Sequence, residues 1–192
     1  MGLSTIVIKE SGEVISIKND GDLGIYDRCS DGSSKTALGR TYYWDEFANP
    51  GTDDVANGAK IKFGNSIDEY IRGLNANVKV AYSYSLGDIQ LLATQSRRGG
   101  LYDIKDALGH YSGYLLKGRY LSGRSAGNYL AGLNAATIKP PFATWDYWKT
   151  LALKKAGGVH DPNNNAGPPY YGEIPQTGRW FVRGFDEVMN GD

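Results

Sequence analysis

Cysteine and histidine are scarce in this chain of 192 residues, which holds one cysteine, Cys29, and two histidines, His110 and His160. A lone cysteine excludes an internal disulfide, and no Cys/His group has the spacing of a zinc site, so the fold has to be held by packing. Long apolar runs are missing as well, which leaves no candidate bilayer span and predicts no membrane insertion. The stretch from Met1 to Glu10 lacks the basic start and long apolar core of a secretion signal. Export would then depend on another segment or on a delivery machine. Net charge is zero, with 21 basic and 21 acidic side chains, so the chain as a whole is not built as a polycation.

Motifs that carry their own mechanism are absent too. There is no Gly-x4-Gly-Lys-Ser/Thr phosphate loop, no His-Glu-x-x-His, no nucleophile elbow and no paired-histidine metal spacing. No metal and no cofactor is expected. The run Asn19-Asp20-Gly21-Asp22 resembles a calcium loop at first sight. Setting Gly21 or Gly24 at the sixth loop position puts Ser16 or Asn19 first and Lys18 or Gly21 third, which is no calcium ligand set. A tight turn is the reading that remains.

What is present is a globular composition, 41% hydrophobic and 22% charged, in a chain long enough for one domain or two closely packed halves. Charge is unevenly spread: residues 1–90 carry 9 basic and 13 acidic side chains and residues 91–192 carry 12 and 8. The bases Arg97, Arg98, Lys105, Lys117, Arg119 and Arg124 face only Asp103 and Asp106, a cluster suited to an anion.

Ser4 to Ile8 and Val14 to Lys18 read as two antiparallel strands joined by a polar, glycine-containing loop. Residues 27–60 read as loops around the aromatic island Tyr42-Tyr43-Trp44. Ser66 to Glu69 is a capping-box sequence, and Ile67, Tyr70, Ile71 and Leu74 follow at helical spacing. Val78 to Tyr84 alternates like a strand, and Ser85 to Gln95 reads as a helix. Arg97-Arg98-Gly99-Gly100 breaks the chain and sets a boundary between residues 1–96 and 97–192.

Beyond it, Leu101 to Lys105 reads as a strand and Tyr114 to Leu121 as a hairpin turning at Lys117-Gly118. A helix is predicted from Gly123 to Ala136, capped by Ser122. Its small residues Gly127, Ala131 and Ala135 form a stripe able to approach another backbone, and Tyr129, Leu130 and Leu133 form a bulky apolar surface. A further helix runs from Trp145, capped by Thr144, to Ala156 and stops at Gly157-Gly158. Asp161 to Pro169 is a loop, and a last helix covers Gln176 to Gly184. The fold class is therefore α+β, with a β-rich N-terminal half bearing short helices and a C-terminal half in which a β-hairpin packs with two or three helices.

Chemistry is argued from a constellation. On a strand, Asp103 and Lys105 would project from one face. A carboxylate beside an ammonium can serve as base while the ammonium stabilises developing negative charge. Arg124, in the first turn of the next helix, brings a guanidinium to a helix N-terminus, and Asn128 lies four residues on, on the same face. His110, in the loop entering the hairpin, is a candidate acid or base. Glu173, beyond Gly167-Pro168-Pro169, is the other candidate carboxylate. Tyr102 and His160 join Arg124 as candidate substrate contacts.

The order of Gly-Gly-Leu-Tyr-Asp-Ile-Lys at 99–105, Gly118-Arg119-Tyr120, and Ser125-Ala126-Gly127-Asn128-Tyr129-Leu130-Ala131-Gly132 resembles the polymorphic toxin type 44 domain found at the C-termini of Rhs-type and other secreted bacterial proteins. The likeness covers about residues 97–190. Residues 12–47, with Asn19 to Tyr26 and Trp44-Asp45-Glu46-Phe47, look like the variable region that joins an Rhs core to its toxin. Such domains often carry an acidic residue ahead of Gly-Asn; here Ser125-Ala126 stands there, so no second carboxylate is carried over. The resemblance implies a toxin delivered into competing bacteria and restrained by a cognate immunity protein, with Asp103, Lys105, Gly127 and Asn128 as the positions that matter.

Two activities follow as expectations. One is a metal-independent nuclease acting on RNA in the target cytoplasm, which suits the basic cluster, although a zero net charge is unusual where phosphate contacts dominate affinity. The other is a peptidoglycan hydrolase acting in the periplasm, with Asp103 or Glu173 as its acid and the abundant Tyr and Trp as a sugar-stacking surface. A non-enzymatic spacer suits the N-terminal half better than the C-terminal half.

Overall fold

A computed structural model describes residues 5–8, 10–28, 36–82, 84–160 and 166–191. The fold is α+β: among the described residues, seven strands form two sheets beside six helices. Two compact units share the chain. One comprises Met1–Asp68 and Leu108–Gly123, the other Glu69–Ala107 and Arg124–Asp192. Cys29, Ser4, Ser83 and residues 161–165 of the predicted loop lie outside the described residues. None of the described helices is long and apolar enough to cross a membrane.

The first unit holds both sheets. In one, β1 (Thr5–Val7) pairs antiparallel with β2 (Val14–Ile17) and parallel with β3 (Gly24–Asp27), which pairs antiparallel with β4 (Ala37–Arg40). The β1–β2 hairpin is the one predicted. Its Gly12 has φ of +73° and sits so close to the carbonyl of Ile61 that a Cβ would stand 2.1 Å from that oxygen. Only glycine satisfies both the left-handed backbone and the contact. The expected turn at Asn19–Asp22 is built from side-chain caps, with Asp20 accepting from the Asp22 N–H at 3.0 Å and Asp22 accepting from the Gly24 N–H at 2.8 Å.

The second sheet runs β5 (Lys60–Ser66), β6 (Ser112–Leu116), β7 (Arg119–Ser122), with β5 and β6 parallel and β6 and β7 antiparallel. The β6–β7 hairpin turns at Lys117-Gly118 as the sequence predicts. Val7, Val14, Ile17, Ile25, Phe47 and Ile61 centre the core of this unit. The aromatic island packs as expected: Tyr42 is buried and donates to the carbonyl of Leu116 at 2.9 Å.

The second unit is helical: α1 (Asp68–Ala81), α2 (Leu86–Gln95), α3 (Ile104–Leu108), α4 (Gly123–Thr137), α5 (Trp145–His160) and α6 (Pro175–Asn190). Here α1, α3 and α4 begin or end at the seams between units. At the start of α1, Ser66 caps through its hydroxyl, which accepts from the Asp68 N–H at 3.1 Å, while Glu69 turns to Arg72 instead of closing the box. Ser85 caps α2 in a full capping box with Asp88. Thr144 caps α5 through the Tyr147 N–H.

Four expectations change, the first being that residues 27–60, read as loops, contain the strand β4 (Ala37–Arg40). Val78 to Tyr84 is not a strand: α1 continues through Ala81, because Ile71 and Val78 keep the helical spacing and are buried while Val80 is 89% exposed. Leu101 to Lys105 is not a strand either; it is a turn entering α3. And α5 runs through Gly157-Gly158 to His160, since glycine weakens a helix by only about 1 kcal/mol per residue and packing decides. The last helix exists as predicted and is longer, opening on Pro175 and closing on Gly191 in the left-handed conformation.

Aromatic anchors fill the core of the helical unit. Trp148 of α5 is fully buried and its indole N–H donates to the carbonyl of Ala135 at 2.7 Å. Trp180 of α6 is fully buried and meets Tyr129 of α4 edge to face, with 6.1 Å between ring centroids. The close backbone approach falls at Gly132, off the Gly127/Ala131/Ala135 stripe. A Cβ there would lie 1.9 Å from the Phe181 carbonyl oxygen, and one on Gly184 would lie 2.1 Å from that of Tyr129. Each glycine thus admits the other helix's main chain.

Candidate functional site

Within the helical unit, Asp103 sits in a tight turn between α2 and α3. Gln95, at the end of α2, holds that turn twice: its main-chain carbonyl accepts from the Tyr102 N–H at 3.0 Å and its side-chain oxygen from the Leu101 N–H at 3.1 Å. The neighbours of Asp103 are anchors, Tyr102 at 2% exposure and Ile104 at 1%. Tyr102 and the buried Tyr82, just past the end of α1, are hydrogen-bonded to each other, and burial raises both phenols above their ordinary pKa. Both phenols therefore stay protonated at neutral pH.

So held, the Asp103 carboxylate divides its oxygens. Oδ2 accepts from the Gly99 N–H at 3.2 Å. Oδ1 is buried and has no hydrogen-bond partner among the described residues. A carboxylate oxygen out of water without a donor is costly to keep there.

Lys105 is the second residue of α3, and its side chain lies across α4. A Cβ on Gly127 would stand 2.6 Å from Cγ of Lys105 and 3.2 Å from its Cδ. The lysine methylenes thus occupy the space a larger residue at 127 would need. Arg124 is three residues before Gly127 on α4, so it shares that face. Among the described residues Lys105 and Arg124 make no ion pair; the acid near them, Asp106, pairs with Arg98 at 3.4 Å. Asn128 is part-buried and its Nδ2 donates to the carbonyl of Arg124 at 3.0 Å, which ties the residue to the first turn of α4.

The remaining candidates are dispersed. His110 belongs to the β-rich unit, exposed in the turn between α3 and β6. Lys117 and Arg119 of the basic cluster are in that unit too, with Arg119 over the ring of Tyr42. His160 ends α5. Glu173 precedes α6 and accepts from the Thr177 hydroxyl at 2.9 Å, a placement that also favours the positive end of that helix. Tyr102, a candidate substrate contact from sequence, is a buried anchor whose phenol is hydrogen-bonded to Tyr82. Gln95 was not singled out by sequence, because an internal glutamine at a helix end carries no motif.

Among the described residues no three His, Cys, Asp or Glu side chains come together as a metal-binding group. No protein-family model, curated protein or solved structure matches the chain.

Proposed function

We propose that this chain is an antibacterial toxin domain of interbacterial competition, acting as a metal-independent nuclease on RNA. The observation that carries the reading is the passage of Lys105 over Gly127. It joins the two short motifs on which the resemblance rests, Asp-x-Lys and Gly-Asn, in one unit beside a second cation, Arg124.

The chemistry matches cleavage by the ribose itself. Asp103 takes the proton of the 2′-hydroxyl, the 2′-oxygen bonds to phosphorus, and the bond from phosphorus to the 5′-oxygen breaks. Lys105 and Arg124 stabilise the charge gathered on the phosphoryl oxygens, and the departing 5′-oxygen takes a proton from water or from the lysine ammonium. Such a step leaves a 2′,3′-cyclic phosphate. The proposed partner is a cognate immunity protein, and the proposed place of action is the cytoplasm of the target cell.

Expression in a bacterial host with and without a periplasmic signal tests this reading. Arrest by the cytoplasmic form alone, with RNA fragments ending in 2′,3′-cyclic phosphate and DNA left intact for want of a 2′-hydroxyl, is the expected result. Arrest by the exported form alone would assign the protein to the cell wall instead. Gly127→Ala offers a sharper check. The added methyl pushes Lys105 off α4, so RNA cleavage should fall at least tenfold, about 1.4 kcal/mol in the barrier. The helix propensity that alanine gains, about 1 kcal/mol, opposes the cost of moving Cγ near the root of the lysine, so stability should change by less than about 1 kcal/mol either way. Equal cleavage rates for the two proteins would remove Lys105 from the site.

A further inference from the structure

We propose that the outer face of α5 is a binding strip for unpaired nucleotides of the RNA substrate, with Tyr147 as a stacking platform and Lys154 and Lys155 as phosphate contacts. This inference rests on the nuclease reading and concerns residues outside the site above. Seven residues separate Tyr147 from Lys154, so the two fall on one face of the helix, about 10 Å apart along its axis. Trp148 and Ala152, both buried, lie about 100° and about 140° round the helix from Tyr147. The strip is therefore the Tyr147–Lys154 side of α5, with the half-buried Lys155 at its margin about 80° round the helix.

The chemistry of that side selects a flat anion. Tyr147 is 56% exposed, a large aromatic surface on a helix whose other tyrosine-sized groups are buried or packed. The exposed Lys154 holds its ammonium 5.3 Å from the ring centroid of Tyr171. Tyr171 has φ of +49°, a left-handed conformation that a bulky L-residue adopts only at a cost and that concentrates at functional surfaces. From residue 139 to residue 155 the chain carries Lys139, Lys149, Lys154 and Lys155 against the single acid Asp146; Lys149 is paired with Asp186 at 2.6 Å, so Lys154 and Lys155 are the cations this side offers. Aromatic planes alternating with cations fit bases and phosphates of a single strand. A neutral wall glycan would use the aromatic surface and leave the excess positive charge without a role.

The test uses the whole chain bearing Asp103→Asn, so that the probe survives, and a fluorescent oligouridine of about a dozen nucleotides. Anisotropy titrations should show binding that Tyr147→Ala weakens about tenfold or more. The double change Lys154→Ala, Lys155→Ala should weaken it as well and flatten the logarithmic salt slope by about 1.4. Leu91→Ala, at an exposed apolar position of α2, should leave it unchanged. All four positions are exposed or half-exposed, and far-UV circular dichroism confirms that each variant is folded. RNA cleavage by the unmodified protein together with binding indifferent to Tyr147 and both lysines would overturn the strip and leave the nuclease reading standing. Oligouridine binding through these residues without any cleavage would uphold the strip and count against the nuclease reading. Binding of soluble glycan strands in place of oligouridine would overturn it.

Discussion

Gly184→Ala should lower the stability of the helical unit by about 3 kcal/mol, near the upper end of what overpacking a core costs. The new methyl would sit 2.1 Å from the Tyr129 carbonyl oxygen and 3.0 Å from the Leu133 nitrogen. Both are main-chain atoms of α4, which cannot rotate away as a side chain can. Gly132→Ala meets the main chain of α6 in the same way, 1.9 Å from the Phe181 oxygen and 2.9 Å from the Phe185 nitrogen. Either substitution must push the helices apart and loosen the Tyr129–Trp180 contact beside them. In a chain of this size the thermal midpoint should drop by about 10 °C. Gly73→Ala in α1, where no neighbouring atom lies within 4 Å of the new methyl, should instead gain about 0.5–1 kcal/mol from helix propensity alone. Opposite signs in one calorimetric series would separate contact from propensity. Equal, small effects at 73 and 184 would show that α4 and α6 do not meet through these glycines.

Asp103→Asn should reduce RNA cleavage by about 10²–10⁴-fold, the usual contribution of a positioned proton acceptor. Asparagine keeps the shape of the side chain and an oxygen for the Gly99 N–H, so the turn from Gln95 to Ile104 is retained. It removes the negative charge from the buried Oδ1, which relieves a desolvation cost instead of adding one. Stability should therefore change by less than about 1 kcal/mol while activity collapses. Asp103→Ala, which also strips the acceptor from the Gly99 N–H, should lose about 1 kcal/mol of stability besides. Cleavage kinetics and thermal unfolding on the same preparations decide the matter. Full activity in the asparagine variant would dismiss Asp103 as the base.

Much of the local structure was legible because it is written in short-range chemistry. Ser85 and Thr144 announce helix starts, Lys117-Gly118 announces a hairpin turn, and Tyr129, Leu130 and Leu133 announce the buried face of α4. Patterns shared by two structures misled. The β-branched alternation of Val78 and Val80 suits a strand, yet Val78 also continues the helical spacing from Ile71, and the longer period prevailed. Leu101 to Lys105 alternates as a strand would, but Gln95 captures its first two N–H groups and bends it into a turn. Asp103 and Lys105 therefore reach their positions by separate routes and not from one strand face. The parallel pairings of β1 with β3 and of β5 with β6 leave no mark at either strand, since parallel partners are joined by distant contacts. Gly127 was noted for its small size; that a lysine stem fills the space beside it depends on tertiary placement.

The alternation of the two units along the chain bears on how the protein is made. β5 ends at Ser66, while its neighbour β6 begins only at Ser112, after a stretch assigned to the other unit. A ribosome emits the N-terminal strands first, and they wait with the edge meant for β6 open. Helices α1 and α2 can form in that interval from local contacts alone. A nascent chain halted before Ser112 has completed neither unit, and a cut at Arg97 would part β5 from the hairpin that covers it. Completion of the β-rich unit thus waits for β7, and the helical unit follows only when α6 has emerged.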